Sequence, residues 1–501
     1  MLKKHILEIT VFVCGALVMI YEIIGSRLLA PYIGASTYVW TSLIGVILAA
    51  LSLGYWLGGK WADRRPDVRV LASVIFAAGA LVSLTILVQE VILSLIGQSR
   101  LILEIKSLLA ALLLFAPASV LLGFVTPYAV KLKMATIEDA GKTVGRLYAL
   151  STVGSIFGTF LAGFFLIPFV GSTRTLYGIG GALIALSLLL APFALTQFKT
   201  GVLLLFFLAV GASELQGYLL FKTHDLYDID TEYSRVRVFL TETKKGEKIR
   251  ALATDPYFIQ SGMFLDRDDL VFDYARYYHL IRHFRPGFRN ALMIGGAGYS
   301  YPQAFLKTYP DARMDVVEID PQMTRIARRF FRLRDDPRLR IIHQDGRVYL
   351  NRAPSQQYDV VLMDAFGSLF SVPFQLTTVE AVRHIDRILT DDGVVIFNLG
   401  GSIRGRLSLF LQSELKTYRR IFPQVYLFKV NAPYTDEQWQ NLIIVASKSE
   451  KKLSLTSDDP EISPLLEHLY QKDFPLEAPV LTDDLSPVEY YNSFAQSVYR
   501  K

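Results

Sequence analysis

Glycines and acidic residues follow four successive apolar segments in the second half of the chain. They are Gly295, Gly296 and Gly298, then Glu318 and Asp320, then Asp345 with Gly346, and finally Asp364. Glycines allow a ligand close to the backbone, and carboxylates accept hydrogen bonds from ribose hydroxyls or an adenine amino group. Each signal alone equally fits a plain turn or a helix cap. Four in succession predict a nucleoside site.

The turn "GGAGYS" (Gly295 to Ser300) restricts the kind of nucleoside. It lacks the third glycine of a dinucleotide fingerprint, and no Lys-Ser/Thr pair follows it to hold phosphates. An adenosyl ligand without phosphates fits better. The sequence therefore indicates a sulfonium donor of the S-adenosylmethionine type.

Asp364 ends the apolar run "YDVVLMD" and begins a loop. It is either a structural cap or a catalytic group. A catalytic carboxylate at this position could hold a reacting group by a hydrogen bond and accept its proton.

The elements that would position these residues alternate between strand and helix from about residue 290. The predicted strands are "ALMIGG", "RMDVVEID", "LRIIHQDG", "YDVVLMDA", "GVVIFNLGG", "QVYLFKV" and "NLIIVASK". The pattern predicts a doubly wound, mainly parallel, Rossmann-like sheet of the methyltransferase type, with ligands at the strand ends. Before it, residues 225–265 predict a β-hairpin-rich unit with a turn at Lys244–Gly246.

The first part of the chain is of a different class. The 501 residues are 52% hydrophobic, and the long apolar runs lie before about residue 220. We predict about seven membrane helices near 6–30, 38–59, 70–96, 106–130, 147–169, 174–196 and 201–220. The predicted domains are a multi-pass α-helical bundle at 1–221, the hairpin unit at 225–265 and the Rossmann-like domain at 266–501. Small residues at Gly54 and Gly58, and at Gly154 and Gly158, predict close helix packing.

Charge and cysteine content narrow the partners. The net charge of +6 fits basic membrane loops better than nucleic-acid binding. The single cysteine, Cys14, excludes a disulfide framework and a cysteine-based metal site, and we predict no metal. The expected partners are the lipid bilayer of an inner membrane and a small molecule, with homo-oligomerisation left open.

Two features of the sequence give different predictions for the side of the membrane on which the catalytic domain lies. Basic residues cluster after the second span and between the fourth and fifth; they are Lys60, Arg64, Arg65 and Arg69, then Lys131, Lys133, Lys142 and Arg146. The positive-inside rule places these loops and the N-terminus in the cytoplasm. We expect the catalytic domain to be cytoplasmic as well, although seven spans from a cytoplasmic N-terminus would put it outside.

Six motifs in order resemble the spermidine synthase (polyamine aminopropyltransferase) family. They are "EYSRVRV", "DPYFIQS", "IGGAGYS", "VVEID", "QDG" and "LMDAF". The runs "VGRLYALSTVGSIFGTFLAGFFLIP" and "LTDDLSPVEYY" resemble the bacterial multi-pass membrane fused form. The resemblance implies an aminopropyl transfer from decarboxylated S-adenosylmethionine, a co-substrate rather than a tightly bound cofactor, to an amine such as putrescine, giving spermidine and methylthioadenosine.

The resemblance also implies roles for individual residues. Asp364 matches the catalytic acid, Glu318 the ribose-binding acid, and Asp345-Gly346 the adenine-binding pair. Tyr233 and Gln260 match residues that close over donor and acceptor.

Four positions depart from the family pattern. Gly298 and Gly367 stand where the family usually has acids, and Ser234 replaces a glutamine. Phe272-Asp273-Tyr274 replaces a Tyr-His-Glu triplet. Asp273, Asp483 and Asp484 are candidate replacement acids for the amine, although the last two equally fit a solvated stretch or a helix cap.

Two other functions remain open on the sequence. A methyltransferase acting on a membrane substrate would share every adenosyl-binding residue. A non-enzymatic polyamine sensor or transporter would use the domain to gate the helical bundle.

Overall fold

The computed structural model describes residues 2–134, 136, 140–191, 197–255, 258–365, 372–474 and 476–494. The chain divides into two compact units. The helical unit comprises Met1–Thr223 and Asp228–Arg235, and the sheet unit comprises His224–Tyr227 and Val236–Lys501.

The first unit is built from long apolar helices. They are α1 (Leu2–Ile33), α2 (Thr37–Arg64), α3 (Val68–Gln98), α4 (Leu103–Leu114), α5 (Ala116–Gly123), α6 (Val125–Lys133), α7 (Ala140–Leu161), α8 (Ser172–Leu190) and α9 (Gln197–His224), with a π-helical stretch at Ala162–Val170. Within the described residues, six helices are long and apolar enough to cross a membrane, or seven if α4 and the α5–α6 segment, bent by 52°, form one span. They coincide with the seven apolar segments expected from the sequence.

Small residues allow the helices of this unit to touch backbone to backbone, as predicted. A Cβ atom at Gly154 of α7 would lie 2.1 Å from the carbonyl oxygen of Phe12 in α1. A Cβ at Gly58 of α2 would lie 2.7 Å from the Cα of Phe124. Any larger side chain would push these helices apart.

One end of the helical unit carries the basic loops. Glu8, near the start of α1, is buried and forms an ion pair with Lys133 at the end of α6. Arg146, near the start of α7, lies 3.6 Å from the same carboxylate. Lys131 pairs with Asp63 of α2 at 2.8 Å. The start of α1 therefore shares an end of the bundle with both basic loops.

The segment Asp228–Arg235 lies at the other end of these helices. Arg27, near the end of α1, donates to the carbonyl oxygen of Thr231. The backbone N–H of Ser172, the first residue of α8, donates to Asp230 Oδ2 at 2.7 Å. The chain thus leaves the helical unit at the end opposite to Glu8.

The second unit alternates strands and short helices. The strands are β1 (Tyr227–Asp230, at the division between the units), β2 (Arg235–Glu242), β3 (Lys248–Ala253), β4 (Ser261–Phe264), β5 (Asn290–Ile294), β6 (Arg313–Glu318), β7 (Leu339–His343), β8 (Tyr358–Met363), β9 (Leu389–Gly401), β10 (Gln424–Lys429) and β11 (Gln440–Ser447). The helices are α10 (Asp273–Arg276), α11 (Ile281–Phe284), α12 (Ser300–Thr308), α13 (Pro321–Phe330), α14 (Gly346–Arg352), α15 (Val379–Ile388), α16 (Leu409–Arg419), α17 (Ser463–Leu466) and α18 (Val488–Ser493).

The larger sheet of the described chain has the order β10-β11-β9-β8-β5-β6-β7. β5 to β9 pair in parallel, and β11 pairs antiparallel with both β9 and β10. This confirms the predicted mainly parallel, doubly wound sheet. Its central strands are buried on both faces, as the continuous apolar run Val360–Leu362 requires.

A smaller antiparallel sheet precedes the larger one. Val238 of β2 pairs with Leu252 of β3, and Ala251 pairs with Gly262 of β4. The turn between β2 and β3 contains Gly246 at a φ of 78°, a left-handed conformation that glycine tolerates. These strands, apart from Arg235, group with the larger sheet in one compact unit. Residues 225–265 as a separate domain remain a prediction.

Candidate active site

A cavity opens where β5, β8 and β9 end, at their carboxyl edge. Its walls include Gly295 and Gly296 after β5, Asp364 after β8, and Asn398 near the end of β9. Ligands bind at this edge of open α/β sheets because the loops there converge. Of the residues predicted to form a nucleoside site, Gly295, Gly296 and Asp364 line this cavity, and the nucleoside site itself stays a prediction.

Asp364 is held by a chain of two asparagines. Asn398 Nδ2 donates to Asp364 Oδ1 at 3.0 Å, and Asn441 Nδ2 donates to Asn398 Oδ1 at 3.0 Å. Strand register explains the chain, since Met363 of β8 pairs with Phe397 of β9 and the next residues are Asp364 and Asn398. We call these three residues the Asn–Asn–Asp chain. It orients the Asn398 amide so that its NH₂ group faces the carboxylate.

Burial sets the acidity of Asp364. It raises the pKa of this carboxyl to about 6, and the Asn398 hydrogen bond and the neighbouring Tyr278 phenol oppose part of the rise. Burial and the nearby Asp364 charge also raise the pKa of Tyr274 and of Tyr278 well above the usual value for a phenol. The site therefore presents two neutral phenols beside a carboxylate that is ionised at neutral pH and can still accept a proton.

The turn after β5 is pinned against Asp364. Gly295 has a φ of 99°, and a Cβ there would lie 2.3 Å from the carbonyl oxygen of Asp364. Only glycine satisfies both the conformation and the contact. We call Gly295, Gly296, Ala297 and Gly298 the glycine turn.

The backbone donors of the glycine turn are already engaged by protein. Glu318 Oε2 accepts from Gly296 N at 2.9 Å and from Ala297 N at 3.0 Å. Gly298 N donates to Ser261 Oγ at 3.0 Å, and Gly295 N donates to the carbonyl oxygen of Val317 at 2.9 Å. The turn therefore offers no free amide cradle to a phosphate or carboxylate.

Glu318 consequently has a structural position in addition to its predicted ribose contact. Its Oε1 accepts from Asp320 N at 3.0 Å, and the side chain is buried. Burial raises its pKa, and the three backbone N–H groups oppose that rise. Glu318 thus shapes the turn from the end of β6, and ribose binding by this residue stays a prediction.

The other strand-end acids cap helices. Asp320 accepts from Gln322 N at 2.8 Å at the start of α13, and Asp345 accepts from Val348 N at 2.9 Å at the start of α14. A Cβ at Gly346 would lie 2.8 Å from a methyl group of Ile294, so this glycine packs against β5. The cap alternative holds for both aspartates, and their adenosine contacts stay predictions.

The predicted substrate-binding residues are dispersed. Gln260 lines the cavity. Tyr233 and Ser234 belong to the segment Asp228–Arg235, which groups with the helical unit, so their role stays a prediction. Gly367 lies outside the described residues.

The candidate replacement acids are not among the described walls of the cavity, and amine binding by them stays a prediction. Asp273 is exposed and lies 3.8 Å from Arg276 Nε. Asp483 pairs with Arg347 at 2.7 Å and accepts from Thr378 Oγ1 at 2.7 Å, which anchors the C-terminal segment to α14 and α15. Asp484 is exposed. Each acid is satisfied by solvent or by a local partner.

Sequence reasoning missed most of the remaining wall. Side chains from four separate segments enter the cavity: Tyr274, Tyr278, Asn398, Trp439, Asn441 and Asn492. The available signal was an asparagine inside a buried apolar strand, as in "VVIFNLGG", because a buried amide requires partners. Gly400 makes room for the Trp439 ring, since a Cβ there would lie 2.0 Å from an indole carbon.

Comparison with known proteins agrees with this site. Residues 275–455 match the family model described as "Spermine/spermidine synthase domain". This part of the sheet unit is therefore similar to a spermine/spermidine synthase domain. The matched range contains the glycine turn, Glu318 and the Asn–Asn–Asp chain, whereas Gln260 precedes it.

Curated relatives extend the similarity. A "Polyamine aminopropyltransferase" of Vibrio vulnificus is 32% identical over 203 residues, 40% of this chain. The chain spans 62% of that relative's length. "Polyamine aminopropyltransferase 1" of Streptomyces coelicolor is 26% identical over 425 residues, 79% of this chain and 76% of its own. The second match extends beyond the sheet unit into the helical unit.

Among solved structures, a "probable spermidine synthase from Corynebacterium glutamicum" covers 52% of this chain and 92% of its own, at 23% identity and a TM-score of 0.40.

Proposed function

We propose that the protein is a polyamine-type aminopropyltransferase. It would move the aminopropyl group of decarboxylated S-adenosylmethionine to an amine and release methylthioadenosine. Putrescine, giving spermidine, is the acceptor implied by the resemblance. The family domain and the curated relatives support the activity, and the engaged amides of the glycine turn carry the choice of donor.

The turn argues against anionic donors. Nucleotide phosphates need free backbone N–H groups or a lysine at such a turn, and Glu318 and Ser261 already accept its amide hydrogens. Among the described residues, no lysine or arginine lines the cavity. An adenosyl sulfonium has no phosphates, so it needs neither free backbone N–H groups nor a lysine at the turn.

The same charges favour the decarboxylated donor over S-adenosylmethionine itself. The α-carboxylate of S-adenosylmethionine would enter a cavity that holds Asp364 and, among its described walls, no cationic side chain. Two carboxylates in one poorly solvated space repel each other. Removing that carboxylate removes this repulsion. This argument favours aminopropyl transfer over methyl transfer.

Asp364 would act on the acceptor nitrogen. Its carboxylate holds the incoming ammonium and takes one proton, which frees the nitrogen lone pair. The nitrogen attacks the methylene carbon bound to the sulfonium. The C–N bond forms, the C–S bond breaks, and the bonding pair returns to sulfur as a neutral thioether.

A product assay tests this function. Purified full-length protein in detergent is incubated with decarboxylated S-adenosylmethionine and a panel of amines, and methylthioadenosine is quantified. We expect amine-dependent release. Tighter calorimetric binding of S-adenosylmethionine than of its decarboxylated form would instead favour the methyltransferase.

We also propose that the apolar helices span a bilayer and that the chain leaves the helical unit at the end opposite the basic loops. Support comes from the helical unit alone. Glu8 joins the start of α1 to the basic loops, whereas Arg27 and Ser172 contact the segment that leads to the domain. If the basic end faces the cytoplasm, the chain leaves the helical unit on the other side of the membrane. This supports the seven-span count against the cytoplasmic location expected above.

Cysteine accessibility in intact cells tests the orientation. Cys14 is buried, so single cysteines introduced at exposed Lys142 and Lys245 would report each end. An impermeant maleimide should label the Lys245→Cys variant and spare the Lys142→Cys variant. The opposite pattern would place the domain in the cytoplasm, and lysed cells supply the control in which both are labelled.

A further inference from the structure

The cavity contains few negatively charged groups for an enzyme whose proposed substrates are cations. Asp364 is the single carboxylate among the described residues that line it. The positions of the sheet unit outside the described residues, 256–257, 366–371, 475 and 495–501, contain no Asp or Glu in the sequence. At the cavity itself, the sheet unit therefore presents one acidic side chain among its described residues.

Aromatic rings stand where further acids would be expected. Tyr274 occupies the last position of the altered triplet, and its ring is nearly parallel to Phe272 and edge-on to Tyr278, at 6.1 Å from each. Trp439 adds an indole to the wall. These surfaces accept apolar groups and can face a cation, but they do not take a proton from it.

The glycine turn also excludes an acid on steric grounds. A Cβ at Gly298 would lie 2.7 Å from the Cβ of Ser261 and 3.3 Å from the Phe331 ring. No carboxylate can be introduced there without moving β4. The loss of charge is therefore built into the packing.

The polar groups next to Asp364 do not replace the missing charge. Asn398 Oδ1 already accepts from Asn441, and the Asn398 NH₂ group points at Asp364. A second ammonium would lose its hydration without gaining a carboxylate, which is costly in a poorly solvated site.

We propose that the acceptor is an amine with one positive charge and an apolar or aromatic body, in place of a diamine. This inference rests on the proposed aminopropyl transfer and specifies its acceptor. The single ammonium binds at Asp364 and loses its proton to that carboxylate. The remainder of the molecule packs on Tyr274 and Trp439.

Matched amines test the inference. Butylamine and 1,4-diaminobutane have the same length and differ by one ammonium, and phenethylamine adds a ring. Because a second ammonium would be desolvated without a carboxylate partner, we expect kcat/KM for butylamine to exceed that for the diamine by roughly tenfold or more. Phenethylamine should be at least as good as butylamine. Equal or higher kcat/KM for the diamine overturns the inference.

A charge-restoring variant gives a second measurement. Tyr274→Glu returns an acid to the triplet and should raise the diamine-to-monoamine ratio of kcat/KM at least tenfold. Tyr274→Gln removes the same ring without adding charge and should leave the diamine disfavoured. A ratio that moves equally in both variants would attribute the preference to size and overturn the inference. Because the readout is a ratio within each variant, a partly unfolded fraction cancels.

The outcomes separate the two proposals. Methylthioadenosine release that prefers the diamine refutes the acceptor class and leaves the aminopropyltransferase intact. No release with any amine refutes the proposed function, and this inference with it.

Discussion

The glycine turn and the Asn–Asn–Asp chain lie against each other but are constructed in opposite ways. The turn is local, and its backbone N–H groups are held by Glu318 and Ser261. The chain draws Asp364, Asn398 and Asn441 from three strands and depends on side chains alone. In the proposed function, the turn would set the shape available to a donor, whereas the chain would set the charge that meets an acceptor.

Because of this difference, we expect donor binding and proton transfer to respond differently to substitutions. A change in the turn displaces backbone, and the displacement extends to Asp364 because Gly295 contacts its carbonyl oxygen. A change in the chain alters acidity and leaves the turn in place. The four predictions below test that separation, beginning with the largest effect.

Asp364→Asn should nearly abolish turnover and preserve donor binding. The amide keeps the shape of the side chain but cannot accept the amine proton, and loss of a general base costs typically 10²–10⁴-fold. Methylthioadenosine release measures the first effect and calorimetric titration of the donor the second. Retained turnover would remove Asp364 from the mechanism.

Asp364→Asn should also change the stability of the fold, and the change should depend on pH. The folded pKa of Asp364 is about 6, above the ordinary aspartate value near 3.9. Its favourable contribution to folding is therefore complete below about pH 4 and is lost as pH rises through about 6. Asp364→Asn should have a higher thermal midpoint than the wild type at pH 8, and the gain should shrink toward pH 4.

Gly295→Ala should impair both donor binding and turnover. The methyl group would lie 2.3 Å from the carbonyl oxygen of Asp364, and the φ of 99° is strained for alanine. Backbone strain of this kind costs about 1–3 kcal/mol, and we expect at least a tenfold weaker donor affinity. Calorimetry of donor binding provides the measurement.

Gly287→Ala is the matched control for Gly295→Ala. Gly287 also has a positive φ, of 73°, but a Cβ there would have no neighbour within 4 Å. It should lose some stability and keep its donor affinity. If the two variants bind the donor equally well, the contact between the glycine turn and Asp364 has no role in binding.

The pH dependence of turnover should change when the Asn–Asn–Asp chain is altered. Turnover should fall about tenfold per pH unit below pH 6, because the proton acceptor becomes protonated there. Asn398→Ala removes a hydrogen bond that lowers the carboxyl pKa, so the midpoint should shift upward by roughly 0.5–1 unit. Rate profiles from pH 4.5 to 8.5 measure the shift. Asn351→Ala, on an exposed face, should leave the midpoint unchanged.

Asp273→Asn should have the smallest effect. Its carboxylate is exposed and its partner is Arg276 at 3.8 Å, so we expect less than a twofold change in kcat/KM for any amine. A tenfold loss specific to diamines would return Asp273 to the site.

The sheet was predictable because its strands are continuous apolar runs between helical segments. The glycine turn was predictable because three of its four adjacent positions are glycine. The local role of Glu318 was not, since a buried strand-end acid fits both a ribose contact and a clamp on backbone amides. Only the direction of its side chain distinguishes the two.

The acceptor side was largely hidden for a different reason. Tyr274, Asn398, Asn441 and Asn492 come from segments far apart in sequence, and strand register brings the two asparagines together. Asp273 was chosen as a replacement acid on chemistry alone, but the adjacent tyrosine takes the inward position of that short helix. A one-residue difference in facing direction cannot be read from composition.

The clamp that Glu318 and Ser261 place on the glycine turn has a consequence for selectivity inside a living cell. Adenine nucleotides and dinucleotides share the adenosine group with the proposed donor, and phosphate recognition would let such abundant molecules compete for the cavity. Because every amide of the turn is satisfied before any ligand arrives, an incoming phosphate would have to displace a buried carboxylate. In the proposed function, this clamp would disfavour the binding of nucleotide phosphates, and no lysine or arginine among the described walls of the cavity would attract them.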